Sequence, residues 1–220
     1  MRLSRSFLFV GALALVVTVP AQSGKGFFKE AEKLRAEGQL DQAVEKYTLA
    51  VQVDPKFLKG YEGRAEVYEL LGKKAECAAD RRKVAELDPS EPLHASDAAK
   101  AYLDMNDAPN AITLCDQALK TDPKCMPALQ TKVRACLMAN DLDKATATAD
   151  AALAQKASTD TYYLHGLARK ATRDYKTAEF DFDKVIEWNP LYEAAYVAQA
   201  ETQLLLYQQY SGLTMQMRTL

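Results

Sequence analysis

Residues 43–55, AVEKYTLAVQVDP, place Ala43, Tyr47 and Ala50 at four- and three-residue steps, with polar residues between them, and end on Asp54-Pro55. That spacing predicts one apolar stripe on a helix. The Pro ends the helix, because it biases the preceding residue toward extended geometry and brings no N–H of its own. Nearly the same phrase returns as AITLCDQALKTDP at 111–123 and as AEFDFDKVIEWNP at 178–190. The steps Asp54-Pro55, Asp88-Pro89, Asp122-Pro123 and Asn189-Pro190 lie 34, 34 and 67 residues apart. A degenerate copy, ATATADAALAQKA at 145–157, divides the long gap into 34 and 33 and ends in Ala157 instead of Pro. A fixed period of this size predicts an all-α stack of two-helix units, each of which needs its neighbour to bury its apolar face.

Numbered 1–34 with Pro at 32, the units resemble the tetratricopeptide-repeat family, which expects bulky residues at 4, 11 and 24 and small ones at 8, 20 and 27. Unit one supplies Phe27, Leu34 and Tyr47 with Ala31, Ala43 and Ala50. Unit two has Tyr61, Ala65 and Tyr68, then a degenerate Cys77, Arg81 and Val84. Unit three has Ala99, Tyr102, Ala111, Cys115 and Ala118, with Ala95 in place of a bulky residue. Unit four keeps Leu129, Cys136, Ala145 and Ala152 but puts Ala149 at 24. Unit five has Tyr162, Gly166, Ala178, Phe182 and Pro190, with Arg169 at 11. The resemblance covers roughly 24–210 and implies a right-handed α-solenoid of eleven helices. Its units fall at 24–57, 58–91, 92–125, 126–158 and 159–192, followed by a capping helix at 193–210 and a tail at 211–220. A chain that stops inside a sixth unit is the alternative to a cap. Ala95, Ala149 and Ala157 place the thinnest packing at units three and four.

The charge balance, 28 Lys and Arg against 30 Asp and Glu, offers phosphate backbones no general attraction and argues against a nucleic-acid partner. At the N-terminus Arg2 and Arg5 precede an apolar run from Phe7 to Val19, then Pro20 and the small residues Ala21 and Ser23. This is the pattern of a secretory signal at 1–21, cut before Gln22. As a membrane anchor it falls short of the roughly 20 residues a spanning helix needs. The expected compartment is a periplasm, a secretory lumen or the extracellular space.

Catalysis needs a convergent set of groups, and the two histidines, His94 and His165, are 71 residues apart in sequence. His165 at position 7 is expected to be a satisfied core residue, and His94 near a helix start to be solvated. Neither a phosphate loop nor a zinc-protease helix occurs. Cys77, Cys115, Cys125 and Cys136 match no zinc spacing, so no metal or cofactor is expected. Core positions make Cys77, Cys115 and Cys136 small hydrophobes, although positions 24 and 11 of successive units leave a Cys115–Cys136 bridge open.

The resemblance implies a concave groove lined by positions 2, 5, 9, 12 and 13 of the first helices. Those positions hold Lys25, Phe28, Glu32 and Arg35 in unit one and Lys59, Glu62, Glu66 and Glu69 in unit two. Lys100, Gln130, Arg134, Tyr163 and Lys170 continue the surface. The subfamily that clamps the C-terminal carboxylate of heat-shock chaperones uses Lys, Asn and Arg where this chain has Phe28, Glu32, Gly63, Leu93 and Asp97, so the clamp is missing. What remains is a non-catalytic, monomeric interaction adapter or scaffold, co-chaperone-like, taking a peptide or amphipathic helix from another protein. The competing reading is a structural subunit of an envelope assembly, held by the apolar Leu204-Leu205-Leu206 edge.

Overall fold

The computed structural model describes residues 23–218; the expected signal segment at 1–21 lies outside them. The described residues form eleven helices and no strand. They pair as α1 (Gly24–Ala36) with α2 (Leu40–Val53), α3 (Leu58–Leu70) with α4 (Lys74–Leu87), and α5 (Pro92–Leu103) with α6 (Ala108–Thr121). Next come α7 (Met126–Met138) with α8 (Leu142–Gln155) and α9 (Thr159–Ala171) with α10 (Tyr175–Trp188). The last helix, α11 (Glu193–Arg218), includes residues the repeat pattern left to a tail.

Two turns define each unit. Between its helices, position 15 adopts the left-handed conformation at Gly38, Gly72, Asn106, Asn140 and Arg173. Gly and Asn tolerate that conformation, whereas Arg173 holds it at a cost of about 1 kcal/mol. Between units, the side chains of Asp54, Asp88, Asp122 and Asn189 accept the N–H two residues on, at 3.1, 3.3, 2.9 and 3.2 Å. This explains why the residue before Pro is Asp or Asn: it is extended and closes the turn with its own oxygen. In the shortened unit four Lys156 has no such oxygen, and Ser158 with Thr161 forms a capping box on α9 instead.

Small residues set the helix spacing. Ala31, Ala43, Ala50, Ala99, Ala111, Ala118, Ala145 and Ala178 are fully buried. At Gly166 a Cβ would stand 2.7 Å from the Phe182 ring, and at Gly63 one would stand 2.6 Å from Tyr47. Those glycines let the large position-24 side chains lie against a backbone. Ala149, expected to pack thinly, is fully buried with Val133, Cys136, Leu164 and Ala168, so the neighbouring helices close over it.

A second, polar set of contacts runs through positions 7, 23 and 25. In unit one Glu30 pairs with Lys46 at 2.7 Å. In unit two the Arg64 guanidinium donates to both oxygens of Asp80, at 2.7 and 2.8 Å, and to Thr48 of the preceding unit at 2.9 Å. Lys132 reaches back to Asp116 at 2.7 Å, and Gln199 to Asp183. In unit five the ring nitrogens of His165 lie 2.5 Å from Asp181 and 2.8 Å from Asp150. The two carboxylates favour the protonated ring, while the Arg169 guanidinium, whose Nε lies 3.3 Å from Nε2, opposes it. Burial of the ring opposes its charge, but Asp181 and Asp150 outweigh burial and hold its pKa above the usual 6.5.

Asp80→Ala strands the Arg64 cation in a site that leaves its side chain 15% exposed. The unfolding free energy then falls by about 3 kcal/mol in urea denaturation, and a loss under about 0.5 kcal/mol would contradict this account of the pair. The His165 contribution is fully present below pH 6.5 and is lost as pH rises through the raised folded pKa. Arg169 shares Asp150 at 2.5 Å, and burial raises the pKa of Asp181, an effect that acts at acidic pH. Stability of the wild type therefore declines above pH 6.5, while His165→Gln gives a flatter profile in the same denaturation series.

Candidate functional site

Successive first helices approach one another everywhere except at one junction. α1 packs near α3, α5 near α7, α7 near α9 and α9 near α11, but no Cα of α3 comes within 8 Å of one in α5. The opening lies between units two and three, not at units three and four where small residues suggested it. Its physical cause is Arg81, which occupies the position filled by Tyr47 in unit one and Phe182 in unit five. Arg81 cannot enter an apolar interface with its charge unpaired, so its guanidinium turns into the opening and meets Glu69 at 2.7 Å and Asp97 at 3.8 Å.

The result is a cavity of about 540 Å³ lined by Glu69, Lys74, Cys77, Arg81, Asp97, Lys100 and Asp104, among others. A smaller one of about 120 Å³ adjoins it through Arg81 and Asp97 and adds Glu62, Glu66 and His94. Together they carry five carboxylates against the three cations Lys74, Arg81 and Lys100. Lys74 donates to the Asp104 carbonyl at 3.1 Å, and Lys100 pairs with the Asp104 carboxylate at 3.1 Å. Asp97 is reached only by the longer contact to Arg81, which leaves it free to meet a ligand cation.

The expected groove residues divide into three groups. Glu32, Arg35 and Glu66 form one chain: Arg35 pairs with Glu32 at 2.8 Å and crosses to Glu66, while the Tyr47 hydroxyl donates to Glu32. Burial, reinforced by the Glu32 carboxylate, holds the Tyr47 pKa well above its ordinary value. Glu62, Glu66, Glu69 and Lys100 surround the open junction. The remainder lie apart from it. Lys25, Lys59 and Arg134 are exposed, Gln130 is half-buried on α7, and Lys170 pairs with Glu201 at 2.7 Å. Phe28 stacks edge-on against Phe57 at 5.3 Å, and Tyr163 lies 5.0 Å from Tyr192, so both aromatics are partly committed to internal packing.

Sequence reasoning missed Arg81, Asp97 and Asp104 as groove residues. The available signal was a charge at a core position, since Arg81 stood out as a departure from the pattern. His94, expected to be solvated, is largely buried, with Nδ1 3.4 Å from the Asp88 carbonyl and Nε2 3.5 Å from Glu62. All four cysteines are buried free thiols, so the bridge left open between Cys115 and Cys136 is not formed. Burial pushes the Cys115 thiol up to about 12 and raises the other three, which keeps them protonated and unreactive. Among the described residues no group of three or more His, Cys, Asp or Glu could hold a metal, and no helix is long and apolar enough to cross a membrane.

Tetratricopeptide-repeat family models match residues 102–170 and 159–190. Over 116 residues the chain is 32% identical to the Hsp70-Hsp90 organizing protein 3 of Arabidopsis thaliana, a match covering 53% of this chain and 19% of that protein. The chain thus spans about a fifth of that relative's length. Among solved structures, YrrB, described as a TPR protein with an unusual peptide-binding site, superposes with a TM-score of 0.69 at 17% identity, over 81% of this chain and 93% of its own. TTC0263 of Thermus thermophilus, a thermophilic TPR protein, gives 0.58 at 16% identity, over 83% and 100%. The family models thus identify tetratricopeptide repeats within residues 102–190, and the solved structures share the fold of the described stack.

Proposed function

We propose that the protein is a non-catalytic adapter of an exported compartment that binds a basic peptide or amphipathic helix of another protein on its first-helix surface. The observation that carries this reading is the open junction between α3 and α5, where five carboxylates outnumber three cations around a peptide-sized recess. Tetratricopeptide proteins mediate protein–protein interaction, and YrrB is described as having a peptide-binding site. A basic segment gains encounter rate from the net negative field, and its cation gains a partner at Asp97. The likeness to an Hsp70-Hsp90 organizing protein supports a co-chaperone-like role. The absent carboxylate clamp argues for a ligand other than a chaperone C-terminus: Phe28 and Glu32 stand where a clamp needs Lys and Asn.

A structural-subunit role draws support from α11, where Val197, Leu204 and Tyr207 are 60%, 58% and 71% exposed. Light scattering after size exclusion separates the two: the adapter runs as a monomer, and a structural subunit as a stable oligomer.

Affinity capture from the periplasm or lumen should yield a partner with a basic segment. Replacing Glu62, Glu66 and Glu69 together by Gln then slows association about tenfold at low salt and flattens its salt dependence, with the helical signal unchanged. Wild-type association of that partner with the triple variant would reject the acidic junction as the binding site.

A further inference from the structure

The same junction has a second opening, bounded by the second helices α4 and α6 and the first turn of α5, with a volume of about 490 Å³. It exists because position 4 of unit three is Ala95, whereas the other units carry Phe27, Tyr61, Leu129, Tyr162 and Tyr196 there. Those units show what such a slot holds. The Tyr61 and Tyr196 hydroxyls donate to the carbonyls of Pro55 and Pro190, at 3.5 and 3.1 Å. Tyr162 packs edge-on against Trp188 at 5.2 Å. In unit three the corresponding carbonyl is that of Pro89, which lines the opening and meets only a long 3.5 Å contact from Thr121 Oγ1.

The apolar lining is Ala85, Pro92, Ala95, Leu114 and Ala118, and the charged lining is Lys120 together with Arg82, which pairs with Glu86 at 3.5 Å. We propose that this opening is a binding site for a tyrosine side chain in an acidic segment of a partner protein, separate from the first-helix groove. The phenol ring takes the place that Tyr61 and Tyr196 take in their own units, and its hydroxyl donates to the Pro89 carbonyl. Neighbouring acidic side chains of the segment pair with Arg82 and Lys120, whose excess positive charge selects for them. The unit thus leaves to its ligand a contact that Tyr61 and Tyr196 make within their own units, and the recess stays open because no methyl-sized residue can fill it.

The test uses 4-hydroxyphenylacetate and the blocked tripeptide Ac-Asp-Tyr-Glu-NH2 against the full chain, followed by amide NMR shifts and thermal unfolding. Both probes should bind the wild type with dissociation constants on the order of 1 mM and shift the amides of Ala95, Leu114 and Gln117. Ala95→Tyr fills the slot from within; it should raise the Tm by roughly 3 °C and abolish both shifts. Ala95→Leu, which copies the Leu129 of unit four, gives a second filled variant should the tyrosine misfold. A tripeptide with Phe for Tyr should bind several-fold more weakly, and one with Lys for both acidic residues weaker still. Equal binding of the probes to wild type and filled variants, or shifts confined to the α3–α5 groove, would overturn the proposal, as would no binding at 10-fold the expected constant, about 10 mM. Loss of groove binding in the Glu62, Glu66 and Glu69 variant leaves these readings unchanged, so the two sites fail independently.

Discussion

The spacing of the first helices in this stack depends on whether the side chain at position 24 fits the face that the next unit presents to it. Tyr47 lies against Gly63, and Phe182 against Gly166, each so close that a single added carbon would collide with the ring. Burial of such a ring contributes about 2–3 kcal/mol and, more importantly, fixes the distance between successive first helices. Small apolar residues at that position, Cys115 and Ala149, also let the next helix close in, whereas a charge does not. The junction of units two and three has a charge at one filling position, Arg81, and a methyl at the other, Ala95, and both of its sides are open. Two departures from the packing rule at one junction therefore produce the two candidate recognition surfaces.

The polar contacts at positions 7, 23 and 25 complement that apolar rule. Arg64 with Asp80, and His165 with Asp181, use the same register in units two and five, and each also reaches back to the preceding unit. Buried charge pairs add little net stability relative to apolar packing, but losing one partner is severe. In a near-periodic stack, where a helix could slide by a turn with little apolar loss, matched polar partners fix which unit sits on which. Unit three has Ala98 and Leu114 there, fully apolar, and it adjoins the open junction.

The fold was legible because its period is written in residues with one physical use each. Asp or Asn before Pro marks the stop, and alanines at 8, 20 and 27 mark the close approach. The left-handed turn at position 15 was present as Gly38, Gly72, Asn106 and Asn140, but Arg173 obscured it as a rule. The site was less legible. Position 9 put Glu66 on the first-helix surface, yet its pairing with Arg35 of another unit depends on the angle between α1 and α3, which no periodicity carries. Arg81 was visible only as a mismatch, because pattern reasoning assigns core positions to packing and assumes that an ill-fitting residue is tolerated. Here the ill-fitting residue turns out of the core and lines the groove. His94 was misplaced for a related reason: a helix start is solvated by default, and only the fold brings Glu62 beside it.

The measurement closest to the central claim is hydrogen exchange of the full chain with and without its captured partner. Recognition at the open junction predicts added protection concentrated within 58–104, the residues of α3, α4 and α5, with α9 and α11 exchanging as in the free protein. Protection confined to α9–α11, with α3–α5 unchanged, would contradict it and move recognition to the exposed C-terminal edge.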